Sequence, residues 1–126
     1  MAQLILIFIG GGLGSVARFL VNRSFQNIVP QPSVYGTLLA NLIASLVLGI
    51  FVGWATLRQP AQTDPLRALV AVGFCGGFST FSTFSNDTLH LFQTNHTAEA
   101  LLNIFVNVAG CLALTLAGVW AGKQLL

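Results

Sequence analysis

The chain has 126 residues, 55% of them hydrophobic and only 6% charged, with a mean hydropathy of +0.82. A soluble domain carries roughly a quarter charged residues, so this composition excludes one and describes an integral membrane protein. The formal net charge of +2, from five cations and three acids, is too small for a nucleic-acid partner or a polybasic lipid-binding patch.

Four stretches reach the length a bilayer requires, and they follow one another with no room for a soluble domain, so residues 1–126 read as a single transmembrane domain. The first, about Gln3 to Val21, runs past signal-peptide length and lacks the charged leading region and small-residue cleavage site, so it is expected to stay as a span. Gly10 and Gly14 give it a GxxxG spacing suited to close helix packing. Arg18, near its end, either snorkels to the headgroups or draws anions. The scarcity of acids near the spans favours the attractor. The connection Asn22 to Ser33 holds Pro30 and Pro32.

The second stretch, Tyr35 to Leu57, repeats the GxxxG spacing at Gly49 and Gly53. Asn41 lies deep enough within it that its amide needs a partner. An interhelical hydrogen bond is one solution, and replacing part of an anion's hydration shell with its two N–H donors is another. Arg58 to Pro65 forms the next connection, with Pro60 and Pro65.

The third stretch, Leu66 to Phe92, has the most unusual texture. At about 27 residues and about 1.5 Å per residue it exceeds what a hydrocarbon core of about 30 Å needs, which suits two half-helices joined by an irregular turn at Gly76 and Gly77. A straight, tilted helix is the alternative. Within GFCGGFSTFSTFSN, the hydroxyls of Ser79, Thr80, Ser82, Thr83 and Ser85 interleave with Phe78, Phe81 and Phe84, a pattern neither lipid contact nor ordinary packing calls for. Phe81 and Phe84 at i+3 spacing would in isolation be packing residues; flanked by hydroxyls, their positive ring edges would attract a sliding anion weakly without trapping it.

After the polar turn Gln93 to Thr97, the fourth stretch runs from Ala98 to Gly122 and places Asn107, Cys111 and Thr115 at successive i+4 positions on one face. These three form either a track of donors or the glue between two helices. Cys75 and Cys111 have no second cysteine nearby and no metal-ligand spacing, so both read as small embedded residues.

Arg58, Arg67 and Lys123 fall on the side of the N-terminus, and Arg18 and Arg23 on the other. So slight a bias under the positive-inside rule allows insertion both ways, and two copies in opposite orientation would form an antiparallel dimer with a two-fold axis in the membrane plane.

Taken together, GGGLGSVAR, GTLLAN, GFCGGFSTFSTFSND and the four-span length closely resemble the Fluc (CrcB) family of fluoride channels over essentially the whole chain. The resemblance implies an all-α membrane protein of four transmembrane helices, the third broken mid-membrane, assembled as an antiparallel dual-topology homodimer in a bacterial-type inner membrane. It implies passive, fluoride-selective export through two antiparallel pores. By the same resemblance Phe81 and Phe84 match the pore phenylalanines, Asn41 the pore asparagine and Arg18 the vestibule arginine. Ser82 and Thr83 match hydroxyl neighbours of the ring pair, and Thr37 a second-span neighbour of the pore. Asn107, Cys111 and Thr115 match the polar track of the fourth span, with Cys111 standing where serine is common. A structural sodium ion is implied at the dimer two-fold, held by backbone carbonyls at Gly76 and Ser79. Asp87 matches an acidic position that is commonly Glu in the family.

Other readings fit less well. A proton-coupled drug exporter of four spans needs a carboxylate at mid-membrane in the first span, and Gln3 to Val21 holds none. An assembly subunit, with every polar group serving as glue, would place Asn41, Phe81 and Phe84 away from any vestibule. An enzyme is not expected, since no nucleophile has a base beside it and His90 and His96 lie near or in the last turn.

Overall fold

The computed structural model describes residues 1–125, and its regular structure is entirely helical. Four stretches, Ala2–Ser24, Pro32–Ala55, Pro60–Gln93 and Thr97–Gln124, are long and apolar enough to cross a membrane. Helix α1 (Ala2–Ser24) lies close to its expected span. Helix α2 (Pro32–Ala55) starts earlier than the sequence predicts, because Pro32 opens the first turn, where its fixed φ and missing N–H cost nothing. The same device converts most of the loop expected at Arg58 to Pro65 into helix α3 (Pro60–Leu66), opened by Pro60.

A nine-residue π segment (Arg67–Cys75) follows directly, two residues after Pro65, whose missing N–H removes a donor to the preceding turn. A single α turn, α4 (Gly76–Phe78), completes the first half of the third span. Helix α5 (Phe81–Gln93) is the second half, and α6 (Thr97–Gln124) closes the chain.

Two seams of small residues hold the bundle. A methyl group at Gly10 would lie 2.9 Å from the Phe74 amide nitrogen, and one at Gly14 would lie 2.8 Å from that of Phe78, so α1 rides directly on the backbone of the π segment and α4. In the α2–α6 seam a methyl at Gly49 would sit 3.1 Å from the Gly118 Cα, and one at Gly122 would sit 2.9 Å from the Trp54 amide. Gly118 and Gly122 are a further GxxxG pair, on the partner helix of Gly49 and Gly53. Between the seams Ala40, Ala44, Cys75 and Phe78 form a buried core of mostly small side chains. Leu4, Phe8, Phe105, Leu112 and Trp120 stay exposed, as expected of helices that are apolar all round.

The position of the interruption corrects the expectation from sequence. Gly76 is helical, at φ −64° and ψ −36°, while the chain turns extended at Ser79 (φ −76°, ψ 155°) and Thr80 (φ −152°, ψ 115°). Gly77 serves a different purpose from flexibility: a methyl there would lie 3.0 Å from the Gly11 Cα, so its lack of a side chain lets α1 and α4 touch. The helix ends instead because Thr80 becomes a cap. Its hydroxyl oxygen accepts a hydrogen bond from the Thr83 amide at 3.2 Å, the standard way to satisfy a first-turn donor and restart a helix.

Candidate functional site

Asn41 projects from the middle of α2 toward the interruption and binds it from both sides. Its Oδ1 accepts from the Thr80 amide at 2.8 Å, and its Nδ2 donates to the Thr80 carbonyl at 3.4 Å. The same Nδ2 donates to Asn107 Oδ1 on α6 at 3.1 Å. Asn41 thus cross-links α2, the interruption and α6, so the interhelical hydrogen bond, one of the two solutions open to its amide, is present.

These bonds release two carbonyls. In a continuous helix the Thr80 amide would donate to the Gly76 carbonyl and the Thr83 amide to that of Ser79, but the first is taken by Asn41 and the second by the Thr80 hydroxyl. Ser79 keeps its own amide and hydroxyl on the Cys75 carbonyl, at 2.9 and 2.8 Å. Gly76 and Ser79 line a recess of about 160 Å³ with Ser45 and Cys75. Carbonyl oxygens freed from helical pairing suit a hard cation that prefers oxygen ligands. Among the described residues no three His, Cys, Asp or Glu side chains come together as a metal site.

A larger groove of about 350 Å³ opens beside the interruption between α2, α5 and α6. Asn41, Ser45, Ser79, Thr80, Asn107 and Cys111 form its polar lining, and Phe81, Phe84, Val108 and Leu112 its apolar wall. The two rings meet at a centroid distance of 5.4 Å and an interplanar angle of 50°, so neither stacks flat on the other. They are unequal in burial: Phe84 is 8% exposed, whereas Phe81 is 77% exposed. Both also line a neighbouring recess of about 450 Å³ between α5 and α6, whose other walls are mostly apolar.

Other residues singled out in the sequence lie outside the groove lining. Thr115 donates to the Ser45 carbonyl at 3.4 Å, a bond between α6 and α2 of the helix-gluing kind. Ser82 and Thr83 engage the Thr80 hydroxyl, at 3.2 and 3.1 Å, and so belong to the cap. Thr37, 1% exposed, donates to Asp87 Oδ2 at 3.4 Å, and Ser33 Oγ lies 2.9 and 3.0 Å from the two Asp87 oxygens, so these three residues tie the start of α2 to α5. Arg18 is half-buried on α1, one turn before Asn22.

The sequence reading passed over several residues that the site needs. Thr80 was one hydroxyl among five until its extended backbone identified it as the cap. Asn103 lies four residues before Asn107 and continues its face by one turn, a periodic signal that was available. Ser33 and Thr88 carry no local signal, because their partners are 54 and 15 residues away.

Residues 5–119 match the family model described as CrcB-like protein, Camphor Resistance (CrcB). The chain is 46% identical over 122 residues to a protein of Escherichia coli (strain K12) named fluoride-specific ion channel FluC, covering 95% of this chain and 94% of that one. A protein of the same name from Shigella boydii serotype 18 is 45% identical over the same shares of both chains. Over nearly its full length, then, this chain is a member of the CrcB family.

Proposed function

We propose that this chain forms a fluoride-selective channel that lets fluoride leave the cell passively, through two antiparallel pores of a dual-topology homodimer in the inner membrane, and that it is not an enzyme. The names carried by its relatives support the ion. The observation that carries the pathway is the meeting, in one groove, of a tilted phenylalanine pair with the amides of Asn41 and Asn107 and the thiol of Cys111. An anion leaving water needs partial positive charge in place of its hydration shell, weak enough that it moves on; the Asn41 and Asn107 N–H groups are bonded to Thr80, Asn103 and each other, so their dipoles, the thiol and the ring edges supply it. Ring edges supply such attraction without a full charge.

Fluoride enters a cell as its neutral weak acid and is trapped as the anion at the higher internal pH. A leak driven by the membrane potential then suffices for export. The open flank of Phe81 favours a second copy as the missing wall, and the weak charge bias between loops favours the antiparallel arrangement. In that assembly the Gly76 and Ser79 carbonyls of both copies would hold a structural sodium ion. Its chemistry is a fixed positive charge near both anion paths. Arg18 adds positive charge toward a vestibule, and the cap built from Thr80, Ser82 and Thr83 holds the ring pair at the groove. Thr37 and Asp87 brace the α5 half-helix from α2.

The test is expression in a bacterium without its own fluoride exporter, grown in fluoride, with internal fluoride read by electrode. The chain should lower internal fluoride and restore growth, and the Phe84→Ile variant should do neither. Internal fluoride equal with and without the chain, at matched membrane expression, would contradict the proposal.

A further inference from the structure

Behind the groove a line of hydrogen bonds runs from α5 through α6 to α2, and its direction is set at one end. The Thr88 hydroxyl donates to the Phe84 carbonyl at 2.7 Å, which spends its only proton. Toward Asn103 it can therefore only accept, and Asn103 Nδ2 donates to it at 3.0 Å. That fixes Asn103 Oδ1 as the end facing Asn107, whose Nδ2 donates to it at 2.9 Å and to the Asn103 carbonyl at 3.0 Å. Asn107 Oδ1 is thereby turned to Asn41, whose Nδ2 donates at 3.1 Å, leaving Asn41 Oδ1 for the Thr80 amide at 2.8 Å.

A flip of any one carboxamide sets oxygen against oxygen or N–H against N–H. Thr88, Asn103 and Asn107 are all buried, at 7%, 7% and 5% exposure, so water has little access to repair such a mismatch. Thr88 and Asn103 do not line the groove, yet they determine which ends of Asn107 and Asn41 are committed inside the protein.

We propose that Thr88 and Asn103 are positioning residues that fix the orientation of the Asn107 and Asn41 carboxamides, and through Asn41 the interruption that carries Phe81 and Phe84. The proposal rests on the channel reading for its consequence, selectivity, and on the geometry alone for its cause. Thr88→Val removes the hydroxyl with little change in volume, and Thr88→Ser restores it. In liposomes, Thr88→Val should lower fluoride efflux about tenfold, the size expected from leaving one buried donor unpaired, and narrow the fluoride-to-chloride ratio. Thr88→Ser should stay within about twofold of the parent on both counts, which a packing role for the side chain would not require.

A second readout does not depend on flux. Hydrogen–deuterium exchange of the nitrogen-15-labelled Asn107 side-chain amide, followed by NMR in nanodiscs, should be slow in the parent and faster in Thr88→Val. If the parent carries no fluoride, the channel reading fails and the exchange comparison still decides the hydrogen-bond line. Unchanged exchange in Thr88→Val, or unchanged rate and selectivity in a conducting parent, overturns the positioning role. Should Thr88→Val fail to assemble, Asn103→Leu, which removes the side-chain acceptor facing Asn107 at similar volume, should speed the same exchange, and an unchanged rate there counts equally against it.

Discussion

Phe81 and Phe84 share a helix and a spacing but not an environment: one ring is held in the protein, and the other stands at the open side of the groove. Replacing either with isoleucine removes the ring edge while keeping most of the volume. Each variant is expected to keep its oligomeric state on size exclusion, at a cost in stability below about 1.5 kcal/mol. Fluoride efflux should fall about a hundredfold or more, equivalent to about 2.7 kcal/mol of barrier. Full flux in both variants would remove the rings from the pathway. The two cysteines give an independent check, since Cys111 borders the groove and Cys75 is 3% exposed in the core. A charged thiol reagent should inhibit the parent, while Cys111→Ser should conduct and resist it. Inhibition that persists in Cys111→Ser would place the reactive thiol elsewhere. The ring pair and the Asn107–Cys111 face were legible in the sequence from helical spacing and Asn41 from its depth in the second span, whereas Thr37, Ser82, Thr83 and Thr115, named with them, lie outside the groove. The capping role of Thr80 and the bracing of Asp87 by Ser33 were not legible, because they depend on how α2 and α5 lie against each other.

At the level of the elements, the spans were readable from length and apolarity, whereas the place of the interruption was not. Glycine pairs weaken helices in isolation, but Gly77 is taken up by contact with Gly11, and the interruption falls where Thr80 finds both a cap and the Asn41 carboxamide. Tertiary contact outweighed local propensity there, as Pro60 and Pro32 outweighed the expected loops by opening helices. The seams make a direct prediction. Gly77→Ala and Gly118→Ala force a methyl into neighbouring backbone and should each destabilise the fold by about 1–3 kcal/mol, seen as a lower unfolding temperature. Unchanged unfolding temperatures would show that the seams are looser than described.

For the whole molecule, one chain presents a continuous polar line, and Phe81 lies bare on the outer side of the groove, where the proposed second copy would stand. A single reactive cysteine added ahead of Met1, in a Cys75→Ala, Cys111→Ser background, should label from both sides of sealed vesicles if the chain inserts both ways. Labelling from one side alone would exclude dual topology. The claim at the centre is that this protein passes fluoride in preference to chloride. Purified protein in potassium-loaded liposomes, with valinomycin supplying the counter-current, allows both anions to be followed by electrode. Fluoride should empty rapidly while chloride remains near the protein-free leak; equal rates for the two anions, or no fluoride efflux, would contradict the account.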